Sequence, residues 1–284
     1  MNNYKKEDVL SVVVSFNPTE LIRENLDALT KQVAQVVVLD NGSNAEAVAI
    51  LKDAEATHEN LRVIYNEENK GIAARLNEGV ALAKEMQKPL LLTMDQDTVL
   101  EDDCVEKQLK VLNTDDTVAS VGIKRVEKHE EKEYYYKDYL ITSGTLSKVS
   151  CLEKAGGYRD ELFVDMVDID ISLALRKAGY NLTITNGAGM DHKVGEYEEK
   201  KILGITHRYL SHSPQRFYSL YKNTVIINRL YKKDFRKFCF KLNFFKVVEF
   251  IKICLEKDSR EKYRNAIQGI KDGKKAYVTF VKEN

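Results

Sequence analysis

The 284-residue sequence is poor in cysteine and proline, and it has no long apolar run. Its four cysteines are scattered without a Cys-x-x-Cys pair, which predicts reduced thiols in a cytosolic setting and argues against a disulfide framework or a structural zinc site. With 3 prolines and a hydrophobic content of 43%, the composition is typical of a globular protein. The apolar run near the N-terminus has about eight residues, too few to span a bilayer, and no cleavage pattern follows, so we expect no signal peptide.

Net charge is also lacking, because 44 Lys and Arg residues balance 44 Asp and Glu residues, but the charges are unevenly placed. From Arg229 to the C-terminus there are 16 basic and 7 acidic residues, a balance of +9, which leaves −9 for residues 1–228. This asymmetry predicts a catalytic body with a basic tail that meets an anionic surface.

Apolar runs alternate with amphipathic helical patterns along the first hundred residues. The runs are VLSVVVSF, VAQVVVLD, LRVIYNE and PLLLTMDQD. Such alternation predicts right-handed crossovers and an α/β fold with a mainly parallel, Rossmann-like sheet flanked by helices. Ligands of these sheets bind beyond the carboxyl ends of the strands. The residues expected to line that crevice are Phe16, Asn17, Asp40, Asn41, Asn69, Lys70, Gly71, Asp95, Gln96 and Asp97.

Two like charges, Asp95 and Asp97, follow the fourth predicted strand. Paired acids are costly unless a cation lies between them. One interpretation is a haloacid-dehalogenase-like phosphatase, because DQDTV fits D-x-D-x-[TV] with the first Asp as nucleophile. Three strands precede the motif, however, and no convincing second acidic motif follows. The other interpretation is a nucleotide-sugar transferase, in which the pair holds Mn²⁺ or Mg²⁺ against the donor diphosphate.

An ordered set of motifs favours the transferase. The stretches are VVVSFNP, VVVLDNGS, NKGIAARLNEG, LLTMDQDT, LITSGTLSK, GGYRDELFVDMVDIDISLALRKAGY, DHKVGE and SPQRFYSLYKN. Together they cover residues 9–225, and the sequence resembles the family-2 glycosyltransferases of the GT-A fold, most of all the bacterial rhamnosyltransferases. Val167 departs from many relatives, which have Glu there, but it fits the rhamnosyltransferase subgroup, as does Gln96 between the two acids.

The resemblance implies a GT-A domain over residues 1–220 and a basic, amphipathic helical region over 221–284. It implies an inverting transfer in which Asp168 takes the proton from the acceptor hydroxyl. It also implies dTDP-rhamnose as the donor and a growing, lipid-linked cell-surface polysaccharide as the acceptor. A non-enzymatic nucleotide-sugar-binding or scaffold protein is a third hypothesis, which the set Asp95, Asp97 and Asp168 disfavours.

The resemblance also distributes roles among the donor-binding residues. Phe16 and Asn17 are expected beside the nucleoside, Asp40 on the pyrimidine ring, and Asn77 in the donor site. We expect Asp97 to bind the metal directly. The alternative for Asp40 and Asn41 is a simple turn with a helix cap.

Other roles are expected from residue chemistry. Asp95 should lie nearer the ribose and the metal's water shell, and His192 should complete the metal or diphosphate site. Lys70 and Gly71 precede a helix whose first amides would suit an anion. Asp165, Asp168 and Asp170 have a structural alternative, since acids stabilise a helix N-terminus. The residues expected on the acceptor side are Ser143, Gly144 and Arg216, with Tyr218 and Tyr221 as further candidates that helix packing explains equally well.

The segment 238–257 predicts an amphipathic helix on the inner face of the cell membrane. A helical wheel places Lys241, Glu249, Lys252 and Glu256 on one face, and Phe240, Phe244, Val247, Val248, Ile251, Cys254 and Leu255 on the other. The expected partner is anionic lipid, with no nucleic-acid partner, and the expected location is cytoplasmic and peripheral to the membrane. The alternative is that the apolar face packs on the catalytic domain or on a second subunit, giving a homodimer.

Overall fold

The computed structural model describes residues 2–123, 133–192, 197–202, 205–210 and 212–283. The chain forms two compact units, the first from Met1–Phe163 and Val167–Lys193 and the second from Val164–Met166 and Val194–Asn284. The second unit therefore takes in the region 194–220, which the sequence analysis assigned to the first domain.

The first unit alternates strands and helices in chain order. Its strands are β1 (Val9–Ser15), β2 (Gln35–Asp40), β3 (Leu61–Tyr65), β4 (Leu90–Asp95), β5 (Thr98–Leu100), β6 (Val118–Ile123), β7 (Tyr134–Tyr136), β8 (Thr145–Lys148), β9 (Asn181–Thr185) and β10 (Met190–His192). Its α-helices are α1 (Ile22–Thr30), α2 (Ala45–Thr57), α3 (Gly71–Glu85), α4 (Cys104–Thr114), α5 (Val149–Lys154) and α6 (Val167–Lys177), and two 3₁₀ turns cover Lys6–Asp8 and Asp160–Leu162.

A single large sheet organises this unit, in the order β3-β2-β1-β4-β8-β6-β9-β7. The pairs among β3, β2, β1 and β4 are all parallel, and so is the pair β6 and β9, whereas β8 and β7 run antiparallel to their neighbours. The valine- and leucine-rich runs of β1, β2 and β4 are almost fully buried, as strands covered on both faces must be. The predicted α/β fold with a mainly parallel sheet flanked by helices is confirmed.

Among its described residues, the second unit contains a β-hairpin and three α-helices. The hairpin pairs β11 (Tyr197–Ile202) with β12 (Ile205–Leu210), and the helices are α7 (Pro214–Tyr231), α8 (Arg236–Lys252) and α9 (Ser259–Glu283). Phe217, Tyr221, Ile253 and Ala266 form its buried apolar cluster. A Cβ added at Gly273 of α9 would lie 2.5 Å from the carbonyl oxygen of Lys222 on α7, so the two helices touch through their backbones.

The predicted helix over 238–257 is wrong at its C-terminal end. α8 stops at Lys252, and a 3₁₀ turn over Ile253–Leu255 follows. Glu256 therefore leaves the helical face on which the wheel placed it. Its carboxylate is buried and pairs with Lys262 at 2.9 Å.

None of the four cysteines, all of which the structure describes, forms a disulfide. Cys104, Cys151 and Cys239 are buried and Cys254 is exposed. Burial raises the pKa of the Cys104 thiol to about 11, so this group stays protonated at neutral pH. Within the described residues, every helix is too short or too polar to cross a lipid bilayer.

Candidate functional site

The carboxyl ends of three parallel strands bring the predicted crevice residues together. In the sheet register Ser15 lies opposite Asp40, and Val14 lies opposite Asp95 on the other side of β1. Neighbouring strands are about 4.8 Å apart, so the Cα atoms of Asp40 and Asp95 are separated by about 10 Å. Both acids therefore lie at the same edge of the sheet, at the ends of strands that flank β1.

Asp40 presents a free acceptor at one end of this crevice. The residue is 1% exposed, and its Oδ2 accepts a hydrogen bond from the Ser43 amide at 3.1 Å. Its Oδ1 is buried and has no hydrogen-bond partner among the described residues. Buried polar atoms in folded proteins are nearly always paired, so this oxygen keeps an unused acceptor position at the end of β2.

Tyr65 lies opposite Asp40 in the register of β2 and β3, and sequence reasoning missed it. The side chain is 38% exposed at the strand end. Partial burial, and then the carboxylates of Glu55 and Asp40, raise the pKa of Tyr65 to about 12. The phenol therefore remains a hydrogen-bond donor at neutral pH. Only its position at the end of β3 could have marked it in the sequence.

Gln96 explains the spacing between the two acids of DQD. Its Oε1 accepts from the Phe16 amide at 2.8 Å and from the Ser15 hydroxyl at 3.1 Å. Its side-chain amide donates to the Phe16 carbonyl at 3.2 Å. Gln96 thus ties the DQD turn to the end of β1. The Phe16 side chain is left 44% exposed.

Asn17 joins the ends of β1 and β2. It adopts a positive φ of 47°, its amide donates to the Ser43 hydroxyl at 2.8 Å, and its Oδ1 accepts from the Asn44 amide at 2.9 Å. Asn44 in turn caps α2 through the Ala47 amide. The cap expected as the alternative role for Asp40 and Asn41 is therefore provided by Asn44.

Two buried side chains hold Asp95 by its backbone. The Ser143 hydroxyl accepts from the Asp95 amide at 3.0 Å, and Asn25 of α1 donates to the Asp95 carbonyl at 2.7 Å. Both residues are almost fully buried. The Asp95 and Asp97 side chains are partly exposed at the crevice. Asn25 was not predicted, because a polar residue in a helix does not reveal its partner in the sequence.

The expected acceptor residues Ser143 and Gly144 lie behind the DQD turn. Ser143 supports Asp95, and the Gly144 amide donates to the Thr93 carbonyl at 2.9 Å. Gly144 has a φ of 73°, and a Cβ there would lie 3.2 Å from the sulfur of Met190. These contacts give both residues a positioning role, and their contact with an acceptor stays a prediction.

His192 is placed beside the DQD turn by its backbone. β10 pairs antiparallel with β5, and His192 lies opposite Thr98, the residue after Asp97. The His192 side chain lies outside the described part of the chain, as do residues 193–196. Within the described residues no group of three His, Cys, Asp or Glu side chains is arranged to hold a metal ion.

The amides at the start of α3 are already satisfied within the protein, contrary to the expectation that they face an anion. The Lys70 amide donates to Asn41, the Gly71 amide to Asn69, and the Ile72 amide to the Phe163 carbonyl. The Lys70 side chain, which is 57% exposed and pairs with Glu68 at 3.0 Å, is therefore the better placed of these groups to contact an anion.

Gly71 has a conformational and a steric reason to be glycine. Its φ is 85°, and a Cβ there would lie 2.5 Å from the Phe163 carbonyl oxygen. The same oxygen accepts from the Ile72 amide at 2.7 Å. The segment ending at Phe163, itself at a φ of 59°, therefore closes directly onto the start of α3.

Arg75 is a buried cation beneath this loop that sequence reasoning missed. It donates to the Asn41 Oδ1 at 2.9 Å, to the Glu78 carboxylate at 2.6 Å and to the Glu68 carbonyl at 3.1 Å. Asn41 also donates to Asn69 at 2.9 Å. Asn41 is therefore a buried connector between β2 and the loop. A lone arginine on the apolar face of α3 was the available signal.

The side-chain amide of Asn77 is hydrogen-bonded within the protein. Its Nδ2 donates to the Tyr158 carbonyl at 2.6 Å and to Asp160 at 2.8 Å, and its Oδ1 accepts from the Tyr158 amide at 2.8 Å. This gives Asn77 a structural role in joining α3 to the turn before α6. Its predicted contact with the donor is untested.

The structure separates the acids near the start of α6. Asp170 is 1% exposed and pairs with Arg159 at 3.2 Å. Asp168, the second residue of α6, is partly exposed, and its Oδ1 accepts from the Ile169 amide at 2.8 Å. Asp165 belongs to the second unit. Among the acids of the first unit's α6, Asp168 is thus the more accessible.

In the second unit Arg216, 53% exposed in its side chain, pairs with Asp165 at 3.0 Å. His212 is half-buried nearby, and burial, followed by the charge of Arg216, lowers the pKa of its imidazole. Tyr218 donates to Asp272 at 3.2 Å, and Tyr221 to the Lys246 carbonyl at 3.0 Å. These contacts fit the packing alternative for the two tyrosines.

Two relatives come from Methanocaldococcus jannaschii. An uncharacterised protein is 27% identical over 133 residues, which are 46% of this chain and 53% of that relative. This chain therefore matches about half the length of that relative. An uncharacterised glycosyltransferase is 24% identical over 259 residues, with 83% of both chains covered.

Two solved structures share the fold. The structure of GalNAc-T7 with UDP, GalNAc and Mn²⁺ has a TM-score of 0.63 and 13% identity, covering 82% of this chain and 49% of the other. The mannosyltransferase PcManGT from Pyrobaculum calidifontis, solved with GDP-Man and Mn²⁺, has a TM-score of 0.62 and 16% identity, covering 95% and 75%. The sequence pattern of glycosyl transferase family 2 matches residues 11–164, more than half of the chain. The chain belongs to glycosyl transferase family 2.

Proposed function

We propose that the protein is an inverting, metal-dependent glycosyltransferase that uses a nucleoside diphosphate sugar. The position of Asp40, with an unpartnered Oδ1, carries this proposal, because its Cα atom lies about 10 Å across β1 from that of Asp95 in the DQD turn. A nucleoside diphosphate has an N–H on its pyrimidine ring at one end and an anionic diphosphate at the other. Asp40 would accept from the ring, and the DQD side would take the diphosphate.

The carboxylates of Asp95 and Asp97 suit a hard divalent cation, which prefers oxygen ligands. Mg²⁺ and Mn²⁺ bind carboxylate oxygens and fill their remaining positions with substrate phosphates and water, so two protein carboxylates suffice. Asp97 would bind the ion directly, Asp95 would hold its water shell, and His192 would complete the site. When bound, the metal offsets the charge that develops on the departing diphosphate. The relatives GalNAc-T7 and PcManGT, whose structures contain Mn²⁺, support this choice of ion.

Asp168 is the proposed general base. It is partly exposed at the start of α6, whereas Asp170 is engaged with Arg159 in the interior. A carboxylate at this position takes the proton from an acceptor hydroxyl as that oxygen attacks the anomeric carbon. Attack from the face opposite the diphosphate inverts the anomeric centre.

The proposed donor is dTDP-rhamnose, and the proposed acceptor is a growing, lipid-linked cell-surface polysaccharide. Both follow from the resemblance of the motif set to the bacterial rhamnosyltransferases. A lipid-linked acceptor places the enzyme at the inner face of the cell membrane, in the cytoplasm. The phosphatase alternative has no support, since the matched family is one of glycosyl transferases and DQD follows the fourth strand of the chain.

A donor panel tests this function. The full chain is incubated with dTDP-rhamnose and other nucleotide sugars, an extracted lipid-linked acceptor and Mn²⁺, and nucleoside diphosphate release is measured. We expect release that depends on acceptor and metal. Release of inorganic phosphate from simple phosphomonoesters, without nucleoside diphosphate release, would restore the phosphatase. Nucleotide-sugar binding without turnover of any donor would identify a binding protein.

A further inference from the structure

One face of α8 exposes a continuous row of large apolar side chains. They recur at i, i+4, i+7 and i+11, so they lie on one helical face over about 16 Å. We call this row the apolar stripe, and its members are Phe240 (72% exposed), Phe244 (58%), Val247 (58%) and Ile251 (63%). A run of exposed aromatic and branched side chains of this length is unusual for a surface that meets only water.

Contacts within the second unit hold α8 with the apolar stripe outward. Asn243 and Asn228 of α7 exchange two amide hydrogen bonds of 2.8 and 2.9 Å. The Tyr221 hydroxyl donates to the Lys246 carbonyl at 3.0 Å. On the inner side Phe250 packs edge-on against Tyr263 with ring centroids 4.9 Å apart. The adjoining face of α8, which carries Asn243 and Phe250, is thus engaged with α7 and Tyr263, and the apolar stripe is left exposed.

The charges around the apolar stripe are almost all positive. The exposed basic residues between 232 and 257 are Lys232, Lys233, Arg236, Lys237, Lys241, Lys252 and Lys257, against one exposed acid, Asp234. The other two acids of this segment are neutralised. Glu249 pairs with Lys246 at 2.8 Å, and Glu256 is buried against Lys262. An occupant of this face must accept apolar side chains and carry negative charge.

We propose that the apolar stripe and the cations beside it dock the protein on an anionic lipid bilayer, with α8 lying in the plane of the interface. Phe240, Phe244, Val247 and Ile251 enter the boundary between headgroups and acyl chains, and the lysines meet anionic headgroups. A second copy is a poor occupant, because it would bring two strongly basic surfaces together. The docking adds a lipid partner to the proposed function. It rests on the proposed function only in one respect, namely that docking would give the enzyme access to a lipid-linked acceptor.

Co-sedimentation of the full chain with vesicles tests the docking. The probes are vesicles of phosphatidylcholine alone and of phosphatidylcholine with phosphatidylglycerol, at low and high salt. We expect binding that requires phosphatidylglycerol and weakens in high salt. The double variant Phe240→Ser/Phe244→Ser should bind at least roughly thirtyfold more weakly, because it removes two inserted side chains. Lys237→Glu/Lys241→Glu should lose a comparable amount.

Matched controls come from α9 of the same unit. Ile267→Ser removes an exposed apolar side chain outside the stripe, and Lys271→Glu reverses an exposed charge there. Both should bind as the wild type does. Since the stripe residues are more than half exposed, the thermal midpoint of each variant should match the wild type, and Val247→Ser/Ile251→Ser provides a second test of the same face.

Two results would overturn the docking. One is that the full chain fails to bind phosphatidylglycerol vesicles at low salt. The other is that Phe240→Ser/Phe244→Ser leaves vesicle binding unchanged. If light scattering shows instead that this variant dissociates a dimer, the apolar stripe is an interface with a second copy. Nucleoside diphosphate release is measured separately without vesicles. Loss of release with intact vesicle binding would count against the proposed function alone, and the reverse would count against the docking alone.

Discussion

The Oδ1 atom of Asp40 has no hydrogen-bond partner among the described residues, and in the proposed complex it accepts a hydrogen bond from the nucleotide base. Asp40→Asn replaces one acceptor oxygen by an NH₂ group and turns attraction toward a ring N–H into repulsion. A hydrogen bond to a charged group contributes about 1.5–3 kcal/mol, so the affinity for the pyrimidine nucleotide should fall roughly tenfold or more. Titration calorimetry with dTDP and UDP measures this. The control Asp53→Asn, on the surface beside Arg23, should bind normally.

Asp97 should be required for the metal and dispensable for folding. EDTA should abolish sugar transfer, and Asp97→Ala should be inactive at any Mn²⁺ concentration while keeping its thermal midpoint, because the side chain is partly exposed. Asp102→Ala removes a nearby exposed acid and should keep full activity. Full activity in EDTA would eliminate the metal from this account.

Substitution of Asp168 should lower the activity of the enzyme, whereas substitution of Asp170 should lower its stability. Asp168→Asn keeps size and polarity but cannot accept a proton, so kcat should fall at least about a hundredfold while nucleotide affinity is unchanged. Asp170→Asn breaks a buried ion pair with Arg159 and should lower the thermal midpoint instead. Steady-state kinetics and calorimetry of both variants separate the roles. An Asp168→Asn enzyme with normal kcat would show that the base lies elsewhere.

At the scale of elements, the first four strands could be predicted because strands covered on both faces form continuous apolar runs. The order and direction of the strands after residue 100 could not. There β8 enters the sheet antiparallel between β4 and β6, and the sequence holds no local signal for a strand that pairs with partners fifty residues away. Asn25 and Arg75 were missed for the same reason. Their importance lies in partners that only the fold brings near.

The error in the tail arose from assuming one uninterrupted helix. The wheel over 238–257 gave Glu249 and Glu256 to a polar, solvent-facing side, but α8 ends at Lys252 and both acids pair with lysines. Of the apolar members predicted for the opposite side, Phe240, Phe244, Val247 and Ile251 are exposed and Val248 is half-buried. The end of α8 at Lys252 removes Glu256 from the helical face, whereas Glu249 is paired with Lys246 within the helix.

The close contact between α7 and α9 predicts that replacing Gly273 by Ala lowers the stability of the protein, whereas helix propensity alone predicts that it raises it. Gly→Ala in a helix normally stabilises by about 0.5–1 kcal/mol. At Gly273 the added methyl would lie 2.5 Å from the Lys222 carbonyl, so the helices must separate, and overpacking of this kind costs about 1–3 kcal/mol. Chemical denaturation should show Gly273→Ala to be less stable than the wild type. Lys274→Ala, at an exposed site of α9, should change stability by less than about 0.5 kcal/mol.

At the scale of the whole molecule, the chain combines a family-2 glycosyl transferase fold with a strongly basic second unit. The sequence alone predicted that Asp40 and Asp95 share one edge of the sheet, since the carboxyl ends of parallel strands converge by geometry. Their contact with a donor stays a prediction. It could not separate Asp168 from its neighbours by environment, nor show that Ser143 and Asn25 hold Asp95 from behind. Those distinctions depend on burial and on long-range hydrogen bonds.

In the proposed complex, one nucleoside diphosphate bridges Asp40 and a metal held by the DQD turn. This bridge can be observed in a crystal structure of the Asp168→Asn protein with dTDP-rhamnose and Mn²⁺, with anomalous data collected at the manganese edge. We expect one anomalous peak within bonding distance of the Asp97 carboxylate, about 2.2 Å, and a thymine ring whose N–H donates to Asp40 Oδ1. Manganese bound away from Asp97, or a base that does not reach Asp40, would contradict it.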